Sequence, residues 1–376
     1  MKKKAPFYIM LIYIIWALVM VVAILVTINS KEISRCRYYD IKVSAANRFE
    51  KCANAIKDYK ISHDITIPKE DINETGLIGL RASFITTSSG QLQAKRTTTN
   101  PDFAAIAIDM FKELHLKEGD EVGVMMSGSF PALNIAVICA IEEFKLKPCI
   151  MASIGASTYG ANIPEFNIYD MIVYLNSIGL LHTGINYVSL GGSDECGGNF
   201  SDVTGHLTEE EEKELFDTIV TRISSGSSKF IYEKDYVKNV DLRMSYFKQD
   251  VSNIKLFINI GGNVSSIGVD DAGFISQNGL ITNKLVKPSS IKITNKTGLI
   301  ERFLKENIPV AQFLNIKGLA YSYNIPYDHV GKITIGESDV YNEVDYNLQI
   351  SILALALSVG FLVLIIIFRK KKIYNI

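Results

Sequence analysis

Hydrophobic residues crowd both ends of this chain and recur in short blocks between them. Residues 6–28 form an apolar run behind Lys2, Lys3 and Lys4, and residues 350–368 form a second, followed by Arg369, Lys370, Lys371 and Lys372. Each has about the 20 residues that a helix needs to cross a bilayer. Basic clusters mark the cytoplasmic side of a span. Both clusters sit on the terminal flanks, so the sequence predicts a two-pass cell-membrane protein with both termini cytoplasmic and residues 30–348 extracytoplasmic. A cleaved signal peptide is the alternative for the first run. Its length, and the poor cleavage sequence Thr27, Ile28, Asn29, Ser30, favour an anchor. A buried core helix is the alternative for the second run, and the absence of charge with a basic stop favours a span.

Between the runs the period changes. Ile41, Ala45, Phe49, Cys52, Ala53 and Ile56 recur at helical spacing, which predicts a helix within 30–59 that carries the first span outward and packs on the domain. A coiled-coil stalk is the other reading, but the repeat is too short to establish it. Residues 71–100 are polar and rich in Gly and Thr, and read as loop or short strands. Asn100 and Pro101 then open a helix, Asn as cap and Pro at the first helical position. Short apolar strands at 121–126, 148–153, 186–190 and 255–260 alternate with helices at 131–144, 167–179 and 208–223, and a further helix closes at 244–251. Thr208 and Glu211 form a capping box. The alternation predicts an α/β, Rossmann-like domain with a parallel sheet. Its nearly all-apolar strands predict a sheet covered on both faces.

After Gly268 the signal weakens. Residues 270–288 read as turns and short strands, 299–317 as helical pieces broken by Pro309, and 325–345 as a polar return to the second span. The expected organisation is a cytoplasmic tail 1–5, a span 6–28, a helical membrane-proximal segment 30–70, the α/β domain 71–268, a smaller extension 269–348, a span 350–368 and a basic tail 369–376.

Composition adds exclusions. The formal net charge is −1, so nothing points to nucleic acid. The five cysteines contain no CxxC and offer neither a disulfide framework nor metal-ligand spacing. Cys36 and Cys52 are free to pair outside the membrane, but on one continuous helix they stand about 24 Å apart. Cys139 and Cys149 read as small buried hydrophobes, and Cys196 as free in a Gly-rich loop. No cofactor is implied, and a GxxxxGK[ST] phosphate loop is absent.

The candidate chemistry lies where the strands end. The first strand runs into Ser127, Gly128 and Ser129. The second runs into Ser153, Ile154, Gly155, Ala156, Ser157 and Thr158. The third gives Gly191, Gly192, Ser193 and Asp194, and the fourth Gly261, Gly262 and Asn263. In a parallel sheet these loops emerge on one rim, where α/β folds bind ligands. Ordinary strand-to-helix turns use the same residue types. Lys95, Arg96 and Thr97, just before the helix at Pro101, add two cations and a hydroxyl suited to carboxylate or phosphate. A solvated loop is the plainer reading there. Ser127 or Ser129 on a tight turn is also the pattern of a nucleophile, with His182 or His206 as base and Asp194 as orienting acid. The sequence lacks the G-x-S-x-G elbow, however, and capping or anion binding is preferred. Asp270 and Asp271 read as a solvated turn rather than a cation site.

The same stretches carry a resemblance. Glu74 to Gly79, Ala94 to Pro101, the block SGSFPALN from Ser127 to Asn134, the block SIGASTYGAN from Ser153 to Asn162, and Gly261, Gly262, Asn263 resemble the poly-gamma-glutamate system protein family over about residues 72–268. The resemblance implies a membrane-anchored accessory role beside the machinery that makes and exports the poly-gamma-glutamate capsule. That machinery includes an ATP-dependent amide ligase and small membrane partners. The ligand implied is the anionic polymer or a glutamate-like anion. The resemblance supplies no catalytic residues. Cys196 is an odd insertion in the loop after the third strand. The expectation is therefore a binding module; a serine-dependent amide hydrolase or transferase and a non-catalytic scaffold of the synthase complex are the alternatives.

Overall fold

The computed structural model describes residues 7–200, 207–269 and 277–374. His206, Asp270 and Asp271, named above as candidates, lie outside them, as do Lys2, Lys3 and Lys4. The chain forms two compact units, Tyr38–Tyr341 and the pair of end segments Met1–Arg37 with Asn342–Ile376.

The larger unit is mixed α/β around a seven-stranded sheet. Its strands are β1 (Glu121–Ser127), β2 (Lys147–Ser153), β3 (Tyr187–Ser189), β4 (Lys229–Phe230), β5 (Ile254–Ile260), β6 (Gly279–Ile281) and β7 (Val310–Phe313). Their spatial order is β6-β7-β5-β1-β2-β3-β4. Every neighbouring pair is parallel except β6 with β7. The four strands expected from the sequence are present, at its centre. Side chains alternate between faces, as the two-residue period requires. Val122, Val124, Met126, Ile150, Ala152, Val188, Ile258 and Ile260 enter one core with the helices Tyr39–Ser62, Asp102–Glu113, Pro131–Glu143 and Ile168–Ser177. Met125, Cys149, Met151, Tyr187 and Phe257 enter the other with Tyr236–Asp250 and Leu299–Lys305. Phe247, Phe257 and Phe303 anchor that second core, the last two stacked with centroids 4.3 Å apart. Helix Pro131–Glu143 is buried from Pro131 to Ile141, as its all-round apolar sequence demands.

Three elements depart from the sequence pattern. The helix expected to run from residue 30 begins only at Tyr39. Lys31–Arg35 is a strand instead, paired antiparallel with Asn342–Tyr346 and aligning Ile33 with Val344. Helical spacing starts at Ile41, so nothing local holds 31–35 in a helix. Second, the segment expected as loop contains a helix, Leu92–Thr98. Its buried face includes Lys95, Thr97 and Thr98, so no apolar stripe announces it. Third, Pro309 precedes a strand rather than breaking a helix. Val310–Phe313 pairs with β5, and the Pro309 carbonyl accepts from the Phe257 N–H at 3.0 Å. The boundary expected at residue 268 thus falls inside one compact unit.

In the end segments, Phe7–Asn29 and Leu348–Tyr374 are helices, and both contain 20-residue stretches long and apolar enough to cross a membrane. They pack on each other, and Trp16 Nε1 donates to the Ser358 carbonyl at 3.2 Å. All five cysteines are free and buried.

Candidate functional site

Parallel pairing sets the ends of three central strands in one row, since Ser127 aligns with Ser153 and Ser153 with Ser189. The chain leaves β1 towards β2, β3 and β4 on one side and returns to β5 and β7 on the other. The gap between β1 and β5 is therefore the switch point, where strand-end loops diverge and leave a crevice. A cavity of about 230 Å3 lies there. Its wall includes Lys95, Ser127, Ser129, Ser157, Glu195 and Asn263. Gly261 closes the turn after β5 at φ +88°, and a Cβ there would stand 2.3 Å from Ser127 Oγ. The positive φ favours glycine, and any side chain there would force the Ser127 hydroxyl to turn away.

Lys95 reaches the cavity through a chain of short-range pairings. Thr86–Ser88 runs parallel to Ala156–Ser157, and Thr158 Oγ1 bridges Gly90 by accepting from its N–H and donating to its carbonyl. This seats helix Leu92–Thr98 beside the loop after β2. Lys95 Nζ donates to Ser157 Oγ at 2.7 Å and to the Ser129 carbonyl, and lies 3.7 Å from the centroid of Phe130. The Ser157 N–H donates to Ser129 Oγ at 3.0 Å. No carboxylate pairs with Lys95 among the described residues. Burial alone pushes its ammonium down to about 7. Across the cavity Asn263 is buried too, and its Nδ2 has no partner among the described residues.

Beneath the rim lies a second cluster. Glu195 Oε2 accepts from Ser153 Oγ at 2.7 Å, Ser189 Oγ at 2.9 Å and Arg243 Nη2 at 3.0 Å; Oε1 accepts from Ser265 Oγ at 2.8 Å. Burial opposes the charge, but Arg243 and the three hydroxyls outweigh it and hold the carboxyl below its ordinary range. Glu195 is thus the rim's fixed negative charge. The sequence signal for Arg243 was a cation beside Val240, Met244 and Phe247 on a buried helix face. Glu195 had no such signal, being one acid in a loop of glycines.

The residues expected to form one site separate into groups. Lys95, Ser127, Ser129, Ser157, Gly191, Gly192, Gly262 and Asn263 line the cavity. Ser153 serves Glu195, and Asp194 accepts from the N–H groups of Cys196 and Gly198, shaping its own loop. Gly128 holds adjacent loops together, donating to the Ser153 carbonyl and accepting from Ala161 N–H, while Thr158 bridges Gly90. Arg96 pairs bidentately with Asp328 at 2.6 and 2.7 Å, and Thr97 Oγ1 accepts from the Asp328 N–H. Arg96 and Thr97 line a different and larger cavity, of about 540 Å3. There the cations are already matched, Lys57 with Glu74, Arg96 with Asp328 and Lys332 with Glu50. Among the described residues Lys95 is the cation of the smaller cavity, and no acid is paired with it there. His182 is held at the opposite rim, its N–H on Glu142 at the end of helix Pro131–Glu143.

Known protein families, curated proteins and solved structures yield no match to this chain. The geometry by itself shows a small polar cavity with one buried amine, a spare amide donor, several hydroxyls and one carboxylate, Glu195, whose charge Arg243 already matches. That set can hold a carboxylate or another acceptor-rich group.

Proposed function

We propose that this is a two-pass membrane protein whose Tyr38–Tyr341 unit binds a small carboxylate-bearing ligand in the rim cavity, in support of poly-gamma-glutamate synthesis or export. The observation that carries the reading is Lys95, an amine buried at a cavity wall and paired with no acid among the described residues. A ligand carboxylate would supply the missing charge, and Asn263 Nδ2 a further donor. The cavity's 230 Å3 is below the roughly 300–1,000 Å3 of drug-sized pockets, which favours a free glutamate-like anion or one polymer end. The polymer itself is argued from the sequence resemblance. The basic flanks of the two apolar helices support cytoplasmic termini and an external domain. Protease added to intact spheroplasts is then expected to digest the central domain and spare both tails; the reverse pattern inverts the topology.

Titration calorimetry of the full chain in detergent with γ-glutamyl-glutamate tests the site. Binding is expected, and to weaken as pH rises above about 7, because the amine loses its proton there. Lys95→Met should weaken it by about 1–3 kcal/mol, the value of a charge-assisted hydrogen bond. Arg96→Ala should leave it unchanged, since Asp328 already occupies that guanidinium. Equal affinity in wild type and Lys95→Met would remove the amine from the site.

A further inference from the structure

We infer that the rim cavity also hydrolyses a short amide or ester, with Ser157 Oγ as nucleophile and Lys95 Nζ as its base. The inference rests on the binding reading for what enters the cavity, and adds a reaction to it. A serine needs a base within hydrogen-bond reach, and among the described residues no histidine lines this wall. The structure supplies an amine instead. Nζ lies 2.7 Å from Ser157 Oγ, within the roughly 2.6–3.2 Å that proton transfer requires. Serine–lysine pairs are an accepted variant of the serine–histidine arrangement.

Two surrounding features fit the role. Lys95 and Ser157 are both fixed by Ser129, one through its carbonyl and one through its hydroxyl, so the pair is held in register. Burial, with no carboxylate paired to it among the described residues, puts the amine at about 7, where a useful fraction is neutral at physiological pH. Among the described residues the other ionisable side chain in the wall, Glu195, is engaged by Arg243. On the lysine's own helix, Arg96 is engaged by Asp328.

In the reaction, neutral Nζ takes the Ser157 hydroxyl proton as Oγ bonds to the substrate carbonyl carbon. Asn263 Nδ2, the spare donor in the wall, is assigned to the developing oxyanion. The Lys95 ammonium then protonates the leaving amine or alcohol as its bond to carbon breaks, leaving an acyl ester on Ser157. Water attacks that ester while Nζ takes its proton, the bond to Oγ breaks, and the proton returns to Oγ. A carboxylic acid leaves and both side chains are regenerated. The product ionises to a carboxylate facing a protonated Lys95, which is the complex the binding reading describes. The two states are therefore separated by pH. Carboxylate affinity should fall as pH rises through about 7, while turnover should rise.

The test uses the full chain in detergent, with p-nitrophenyl acetate and γ-glutamyl-p-nitroanilide as substrates. A fluorophosphonate label located by mass spectrometry provides a readout independent of rate. The expected result is a kcat/KM that climbs through about pH 7 and a label on Ser157. Ser157→Ala should lose roughly 10³-fold or more in rate while still binding γ-glutamyl-glutamate. Lys95→Met should lose roughly 10²–10⁴-fold and the pH dependence with it. Lys95→Arg, which keeps the cation and its donors but offers no base, should be equally inactive; activity retained there overturns the proposal. Turnover that survives in Ser157→Ala overturns it also. Absent turnover and labelling, with γ-glutamyl-glutamate still bound, rejects the hydrolase and leaves the binding reading standing. Loss of binding as well rejects both.

Discussion

Glu195→Ala is expected to destabilise the fold by about 3–5 kcal/mol, the cost of stranding one partner of a buried ion pair. Arg243 is fully buried, and its Nε and Nη1 already lack protein partners among the described residues. Removing the carboxylate takes away its charge neutralisation and leaves Ser153, Ser189 and Ser265 without their shared acceptor. Thermal unfolding of the full chain in detergent should show a midpoint lower by on the order of 10 °C. Replacing both partners, Glu195→Ala with Arg243→Met, should recover much of the loss, because an apolar pair avoids the cost of a lone buried charge. A loss below about 1 kcal/mol in the single variant would mean that water reaches the pair and that the rim is not knitted from beneath. Failure of the double variant to recover would shift the weight from the ion pair to the hydroxyls.

Stability is expected to increase as pH rises from about 7 to 8.5, and Lys95→Met to flatten that increase. In the folded chain the Lys95 ammonium is pushed down to about 7 by burial, against an ordinary value of 10.5. Between those values the unfolded chain binds more protons than the folded one, so unfolding becomes less favourable as pH rises. One such group contributes up to about 1.4 kcal/mol per pH unit. Lys60, pushed down to about 8 by burial despite nearby Asp71, adds to the same trend at the upper end. Above about pH 10 the slope should reverse, because the proton difference of the two amines closes as the unfolded lysines titrate at their ordinary 10.5. Burial holds the thiols of Cys139 and Cys149 and the phenol of Tyr187 above their ordinary values, so there the folded chain binds more protons. Unfolding of both proteins in urea across this range measures the difference. Identical slopes would show that the amine is hydrated and would weaken the case for a base at Ser157. The same burial that would make Lys95 useful is therefore a stability cost at neutral pH, as is common for groups held ready at a binding site.

The strand-end loops were legible because their signal is local. Each strand is a short apolar run and each loop a cluster of Gly, Ser and Asn, so β1, β2, β3 and β5 and the rim they share follow from period and turn chemistry. The two apolar end helices were legible for the same reason, since length and composition settle them. β7 was not, because four residues after a proline carry too little pattern and owe their state to pairing with β5. Lys95 and Arg96 stand side by side in the sequence and read as one cationic pair. A helix directs adjacent residues to different faces, so Lys95 meets Ser157 in one cavity while Arg96 meets Asp328 at another. The partnership of Glu195 with Arg243 joins residues 48 apart in the chain. Residue type and local period fixed the four central strands, the helices between them and the loops at their ends. The partners of the buried charges depend on distances across the sheet, and these exist only once the sheet is closed on both faces.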